Sequence, residues 1–143
     1  MKWIATCLTL SLLSFSQAAF SRDTQHFFSI QEALQSEAFK QKLNPKIKLF
    51  FANKKVRVKK KLGNFTSNKK TNSFNKSDLK ACQWALLSAL LAMQERAVTE
   101  GGNAVVNISS YYKKQKHAST KTYECHAGNM ITGVALNADI AKI

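Results

Sequence analysis

Cys82 and Cys125 are the two residues with the widest chemical repertoire in this chain, because a cysteine can attack, ligate a metal or pair. They are separated by 42 residues, far from the C-x-x-C spacing of a redox couple, and the third cysteine, Cys7, lies in an apolar N-terminal leader. Two cysteines left after leader removal predict one disulfide in an oxidising compartment, with two free thiols as the alternative. His126 follows Cys125 and invites a Cys–His nucleophile, but a cysteine held in a disulfide has no thiolate to offer. Glu124 and His126 fall on one face of a strand candidate and have the donor types for a metal ion; the expectation is a solvated strand face instead. His26 and His117 have neither i, i+4 spacing nor neighbouring carboxylates, and the serines around His117 sit in a polar segment that would not hold a catalytic group rigid. No catalytic residue, cofactor or metal site is expected.

The charge is concentrated. Lys and Arg number 22 against 8 Asp and Glu, and residues 46–80 hold twelve of the basic residues with Asp78 as the one acid. Residues 46–51 and 56–62 alternate in period two, so they are expected to pair as an antiparallel hairpin across the short connection 52–55. That hairpin would project Lys46, Lys48, Arg57, Lys59 and Lys61 from one face, with Lys54, Lys55, Lys69 and Lys70 on adjoining loops and Phe50, Phe65 and Phe74 interspersed. Such a surface attracts phosphate-bearing polymers by counterion release: lipopolysaccharide, anionic lipid head groups, cell-wall polymers or extracellular nucleic acid. Lysine outnumbers arginine, the residue that reads bases best, so sequence-specific nucleic-acid readout is not expected. Lysine and asparagine are also enriched together, with ten asparagines, and compositional bias is the competing explanation.

The elements that must position these residues follow from punctuation and periodicity. Lys2, an apolar run from Trp3 to Phe15 and the small residues Ser16 and Ala18 make residues 1–18 a cleavable signal peptide, too short to span a bilayer. The remainder, 19–143, has the length of one domain with a modest core. A strand at 25–28 leads into a helix over 30–42, entered through the capping box Ser29-Ile30-Gln31-Glu32 and stopped by Asn44-Pro45. Residues 63–76 read as a mobile polar loop with at most a weak strand near Phe65. A long helix over 77–100 places Leu79, Cys82, Leu86, Leu90, Met93 and Ala97 on one face, adds Trp84, Leu87 and Leu91 on a second side, and closes at Gly101-Gly102. Strands are expected at 104–112, 120–127 and 130–136, with a short stretch at 139–143. Cys125 faces inward with Tyr123, opposite Thr122, Glu124 and His126. The fold class is α+β: an antiparallel sheet packed on one long and one short helix, a single disulfide-stapled domain with a lysine-rich hairpin and loop at 46–76.

The long helix ending in Gly101-Gly102-Asn103-Ala104-Val105-Val106-Asn107, then Tyr123-Glu124-Cys125-His126-Ala127-Gly128 and Gly133-Val134-Ala135-Leu136, resembles a group of small exported Gram-negative proteins that often carry the label of an excinuclease ATPase subunit. More distantly it looks like the YbjQ-like domain and the disulfide-stapled ectodomain of the Rcs envelope-stress lipoprotein, from which it departs in lacking the acylated cysteine and the second disulfide. The ATPase label has no support in the residues, since neither a phosphate loop with its Lys-Ser/Thr nor paired zinc cysteines occurs. The resemblance implies fold more than function. The expected function is that of an exported, non-enzymatic envelope protein, periplasmic or secreted, with an unassigned binding role. The alternative is a binder of anionic polymers or lipids through the basic 46–80 region.

Overall fold

The computed structural model describes residues 21–143, so the expected signal peptide lies outside the described residues. Strand β1 (Thr24–Ser29) passes directly into helix α1 (Ile30–Gln35), where the Ser29 hydroxyl accepts the Glu32 N–H at 3.2 Å. The expected single helix over 30–42 is two: α2 (Glu37–Lys42) starts after a break at Ser36. Ser36 is extended, with φ −66° and ψ 149°, and both its N–H and its hydroxyl bond the Ala33 carbonyl, at 3.1 and 2.7 Å. A serine that closes a carbonyl in this way ends the helix, and the redirected α2 buries Phe39.

Strand β2 (Lys48–Phe51) and strand β3 (Lys60–Asn72) do not form the expected hairpin. β2 pairs in parallel with β4 (Ala104–Ser110), while β3 pairs antiparallel with β6 (Ile131–Lys142), on the opposite edge of that strand. Residues 52–59 therefore cross the sheet face as a strap, fixed at one end by the Ala52 N–H on the Ile108 carbonyl (2.8 Å) and at the other by the Lys59 N–H on the Lys142 carbonyl (2.8 Å). The reason lies in the floor beneath. Ala104, Val106 and Ala141 form a small buried apolar patch on the face away from the long helix, and Phe50, Val56 and Ile143 cover it. A two-stranded hairpin would leave that patch wet.

The expected polar loop at 63–76 is mostly β3, in register with β6 from Lys60 opposite Lys142 to Asn72 opposite Ile131. β3 is an edge strand whose Asn64, Thr66 and Asn68 stay exposed, so little apolar alternation marks it. β6 is continuous over 131–142 and absorbs the short stretch expected at 139–143. Its other edge is shared: the C-terminal half pairs β4, and Thr132 and Gly133 pair β5 (Thr122–Ala127). β1 then adds to β5 and β2 to β4, so the sheet forks.

Helix α3 (Asp78–Glu100) lies across one face, with Ser77 as N-cap accepting the Lys80 N–H at 3.1 Å and Gly101 as a left-handed C-cap at φ 77°. Cys82, Leu86, Leu90, Met93 and Ala97 are buried as expected, against Val105, Ile108, Val134, Leu136 and Ile140. Leu79 is not; it stands exposed in the first turn. On the helix's second side Leu87 is buried, Leu91 is half-buried, Trp84 remains exposed, and Gln94 clasps the 44–47 segment through three hydrogen bonds. Cys82 and Cys125 are bonded, Cα atoms 5.8 Å apart, which staples α3 to β5. The architecture is α+β: an antiparallel-dominated sheet under one long helix with two short ones beside it.

Candidate functional site

The forked sheet distributes the lysine-rich segment instead of gathering it. Lys46 and Lys48 lie at and on edge strand β2, exposed; Lys54, Lys55, Arg57 and Lys59 stand out from the strap. Lys60, which begins β3, faces Lys142 directly across the ladder, and Lys59 is bonded to the same residue, so these three cations crowd one corner. Lys61 is neutralised by Asp139 at 3.0 Å. Lys69 and Lys70 sit at the far end of β3, opposite Val134 and Gly133, on the two different faces of the sheet. The face expected from five hairpin residues is thus replaced by a basic edge and strap, with Lys60 and Lys142 added and Lys61, Lys69 and Lys70 removed. Lys142 had no local signal, since only the β3–β6 register brings it there.

Five of the eight acids are engaged elsewhere. Asp23 and Glu124 face His126, Asp78 holds Arg22 and His26, Glu100 pairs with Arg96, and Asp139 takes Lys61. Among the described residues, Lys46, Lys48, Lys54, Lys55, Arg57, Lys59 and Lys60 have no acidic partner. Lys54 also borders an apolar cleft of about 540 Å³ at the fork, between α1 and β2, floored by Ile30, Leu34, Leu49 and Phe51.

Glu124 and His126 do share a strand face, but that face is not solvated: the Glu124 side chain is 8% and the His126 side chain 12% exposed. The chain after β4 turns back over it. Lys113 and Lys114 adopt left-handed φ values of 49° and 62°, uncommon for side-chain-bearing residues, and the turn lays the Tyr112 ring on the imidazole with centroids 3.3 Å apart. His126 Nδ1 lies 3.0 Å from Asp23 Oδ1 and Nε2 lies 2.5 Å from Glu124 Oε2. The Tyr112 hydroxyl donates to Asp23 Oδ2 at 2.9 Å, and Gln25 Nε2 donates to Glu124 at 3.1 Å. Burial pushes the Asp23 carboxyl up, but the hydrogen bonds from Tyr112 and His126 outweigh it and hold it below its ordinary value. Burial and then the Asp23 carboxylate push the Tyr112 hydroxyl up.

This cluster has a limited chemical repertoire. Both ring nitrogens lie against carboxylates, so neither is left open to a substrate. Its geometry is that of a polar lock joining the N-terminal arm, β5 and the turn after β4. Sequence spacing exposed Glu124 and His126 as a pair; nothing local pointed to Asp23 or Tyr112, which arrive from 89 residues apart. Neither Cys125 nor Cys82 is a nucleophile, since they are bonded to each other. Among the described residues no group of three or more His, Cys, Asp or Glu has the arrangement to hold a metal ion.

No family model, curated protein or solved structure matches the chain.

Proposed function

We propose that this chain is an exported, non-enzymatic envelope protein that binds an anionic polymer through the edge of β2 and the strap. The observation that carries the reading is the set of seven exposed cations from Lys46 to Lys60 that have no acidic partner among the described residues. Uncompensated ammonium groups on a ridge are suited to a chain of phosphates or carboxylates, where each contact releases a counterion. Export, to the periplasm or beyond, is supported by the Cys82–Cys125 disulfide, which belongs to oxidising compartments, and by the leader read in residues 1–18. The resemblance to small exported Gram-negative proteins points the same way. A non-enzymatic role is supported by the doubly engaged His126 and the bonded cysteines.

Heparin affinity over a salt series tests this reading. Replacing Lys46, Lys48, Lys55, Arg57 and Lys59 with Gln is expected to weaken binding more than about ten-fold and flatten the slope of log affinity against log salt. Replacing Lys80, Lys113, Lys114, Lys116 and Lys121, an equal charge away from the strap, is expected to cost under about three-fold. Equal losses in both variants would reduce the strap to its share of bulk charge, and compositional bias would then explain the lysines.

A further inference from the structure

The opposite end of the molecule has a different surface. Following β3 from Lys60 to Asn72 covers roughly 40 Å of strand at about 3.3 Å per residue, and there the chain turns toward α3 beside the β5–β6 turn. The two turns are tied together: the Ser73 N–H donates to the Met130 carbonyl at 3.0 Å and the Ser73 hydroxyl to the Gly128 carbonyl at 2.9 Å. From this joined tip Phe74, Met130 and Ile131 project 61%, 63% and 59% exposed against the described residues. They are among the most exposed large apolar side chains of the described chain; the Ser73–Met130 bond brings the turn of Phe74 to Met130, and Ile131 follows Met130 in sequence. Exposed apolar residues scattered singly are ordinary; three on adjoining turns are not.

The charge around them is mostly basic, and the acids nearby are already paired. Lys69, Lys70 and Lys76 are exposed, and the Lys76 ammonium is held over the turn by the Asn72 carbonyl at 2.8 Å. Two acids lie nearby and both are engaged: Asp78 by Arg22 at 2.9 Å and His26 at 2.8 Å, and Asp23, which lines one cleft with Lys70 and Ile131, by His126 and Tyr112. We infer that this tip docks on an anionic lipid bilayer, with Phe74, Met130 and Ile131 entering the interface and Lys69, Lys70 and Lys76 lying at the level of the phosphates. Apolar tips ringed by lysines match the layering of a bilayer surface, acyl chains below and anionic head groups above. A second copy of the chain fits worse. Three side chains on a convex tip supply far less than the ~1,600 Å² of a stable protein interface, and pairing two tips would oppose lysine to lysine. No described helix is long and apolar enough to cross a membrane. The inference stands apart from the polymer reading, whose cations lie at the other end of β3.

The test uses the exported protein and vesicles of phosphatidylcholine with phosphatidylglycerol in roughly a two-to-one ratio, against phosphatidylcholine alone. With Trp84→Phe and Phe74→Trp combined, emission is expected to shift to the blue and to be quenched by brominated acyl chains on the anionic vesicles only. Phe74→Ser with Met130→Ser and Ile131→Ser is expected to weaken vesicle binding more than about ten-fold with an unchanged melting midpoint, because exposed side chains leave the core intact. Lys70→Gln with Lys76→Gln is expected to weaken it and lower its salt dependence, while the five-residue strap variant keeps insertion but loses heparin. Vesicle binding by the triple serine variant at wild-type strength would overturn the proposal. So would adsorption without quenching at position 74, or a lipid-independent self-association that the triple variant abolishes, which would assign the tip to contact between copies.

Discussion

At Gln94 one side-chain amide satisfies three backbone groups: its oxygen accepts the Asn44 N–H at 2.8 Å, and its nitrogen donates to the carbonyls of Asn44 and Ile47, both at 2.9 Å. Gln94 is 3% exposed, so its amide has no water to fall back on. Gln94→Leu keeps the volume and strips all three bonds; it is expected to cost about 2–4 kcal/mol in a urea titration, and a loss under about 0.5 would show that the 44–47 segment finds other partners. Asp78 makes a pH-dependent clasp at the same scale. Two hydrogen bonds from the Arg22 guanidinium, and one contact from His26, hold its carboxyl down at about 2. A carboxyl depressed in the folded state stabilises fully above its unfolded pKa of about 4, and the contribution disappears as pH falls through the folded value. Melting midpoints of the wild type are therefore expected to fall between pH 4 and pH 2 more steeply than those of Asp78→Asn. Parallel curves would detach the clasp from acid stability.

Among the elements, α3 and β5 are coupled covalently, and the Cys82–Cys125 bond closes a loop that contains most of α3, all of β4 and the turn after it. Constraint of the unfolded chain makes such a bridge worth about 2–4 kcal/mol. Cys82→Ala with Cys125→Ala is expected to lose that amount without changing the fold, since Leu86, Leu90 and Met93 still pack on the sheet. Denaturant midpoints check the loss, and far-ultraviolet circular dichroism checks the fold; a variant with no secondary structure would mean that the core alone cannot hold α3. The junction at the base of α3 is equally tight. A Cβ at Gly102 would lie 2.8 Å from the Ala141 carbonyl oxygen, which is why the residue after the left-handed cap is also glycine.

Over the whole molecule, folding spreads the lysines of residues 46–80 but leaves one crowded corner. Lys60 and Lys142 are placed directly opposite in a ladder and Lys59 is hydrogen-bonded beside them, an arrangement that repels at low salt. Stability is expected to rise by about 1 kcal/mol between ~0.01 and ~0.3 M salt, as the screening length falls from about 30 Å to below 8 Å. The strap Gln variant is expected to rise less. A flat salt response in the wild type would mean that the spread of lysines over edge, strap and β3 already suffices to relieve the repulsion.

What the sequence alone determined is what local chemistry determines. Helix α3 was legible from steps of three and four, from Ser77 before it and from the glycines after it; β1, β4 and β5 were legible as short strand-like runs between turn signals, and the disulfide from an even count of cysteines. Partner choice was not. Residues 46–51 and 56–62 both alternate, but alternation says only that one face is buried, not against which strand, and the floor of Ala104, Val106 and Ala141 that drew the strap across the sheet comes from distant sequence. β3 was hidden because an edge strand with polar residues on its open side has almost no apolar amplitude to read. The His126 lock and the Lys60–Lys142 corner were beyond reach for the same reason: side chains remote in sequence become neighbours only when a register is set. The basic character of residues 46–80 belonged to the sequence; its division into a strap at one end and an apolar-tipped cluster at the other was decided by the tertiary structure, because a 13-residue strand separates charges that the chain merely lists in order.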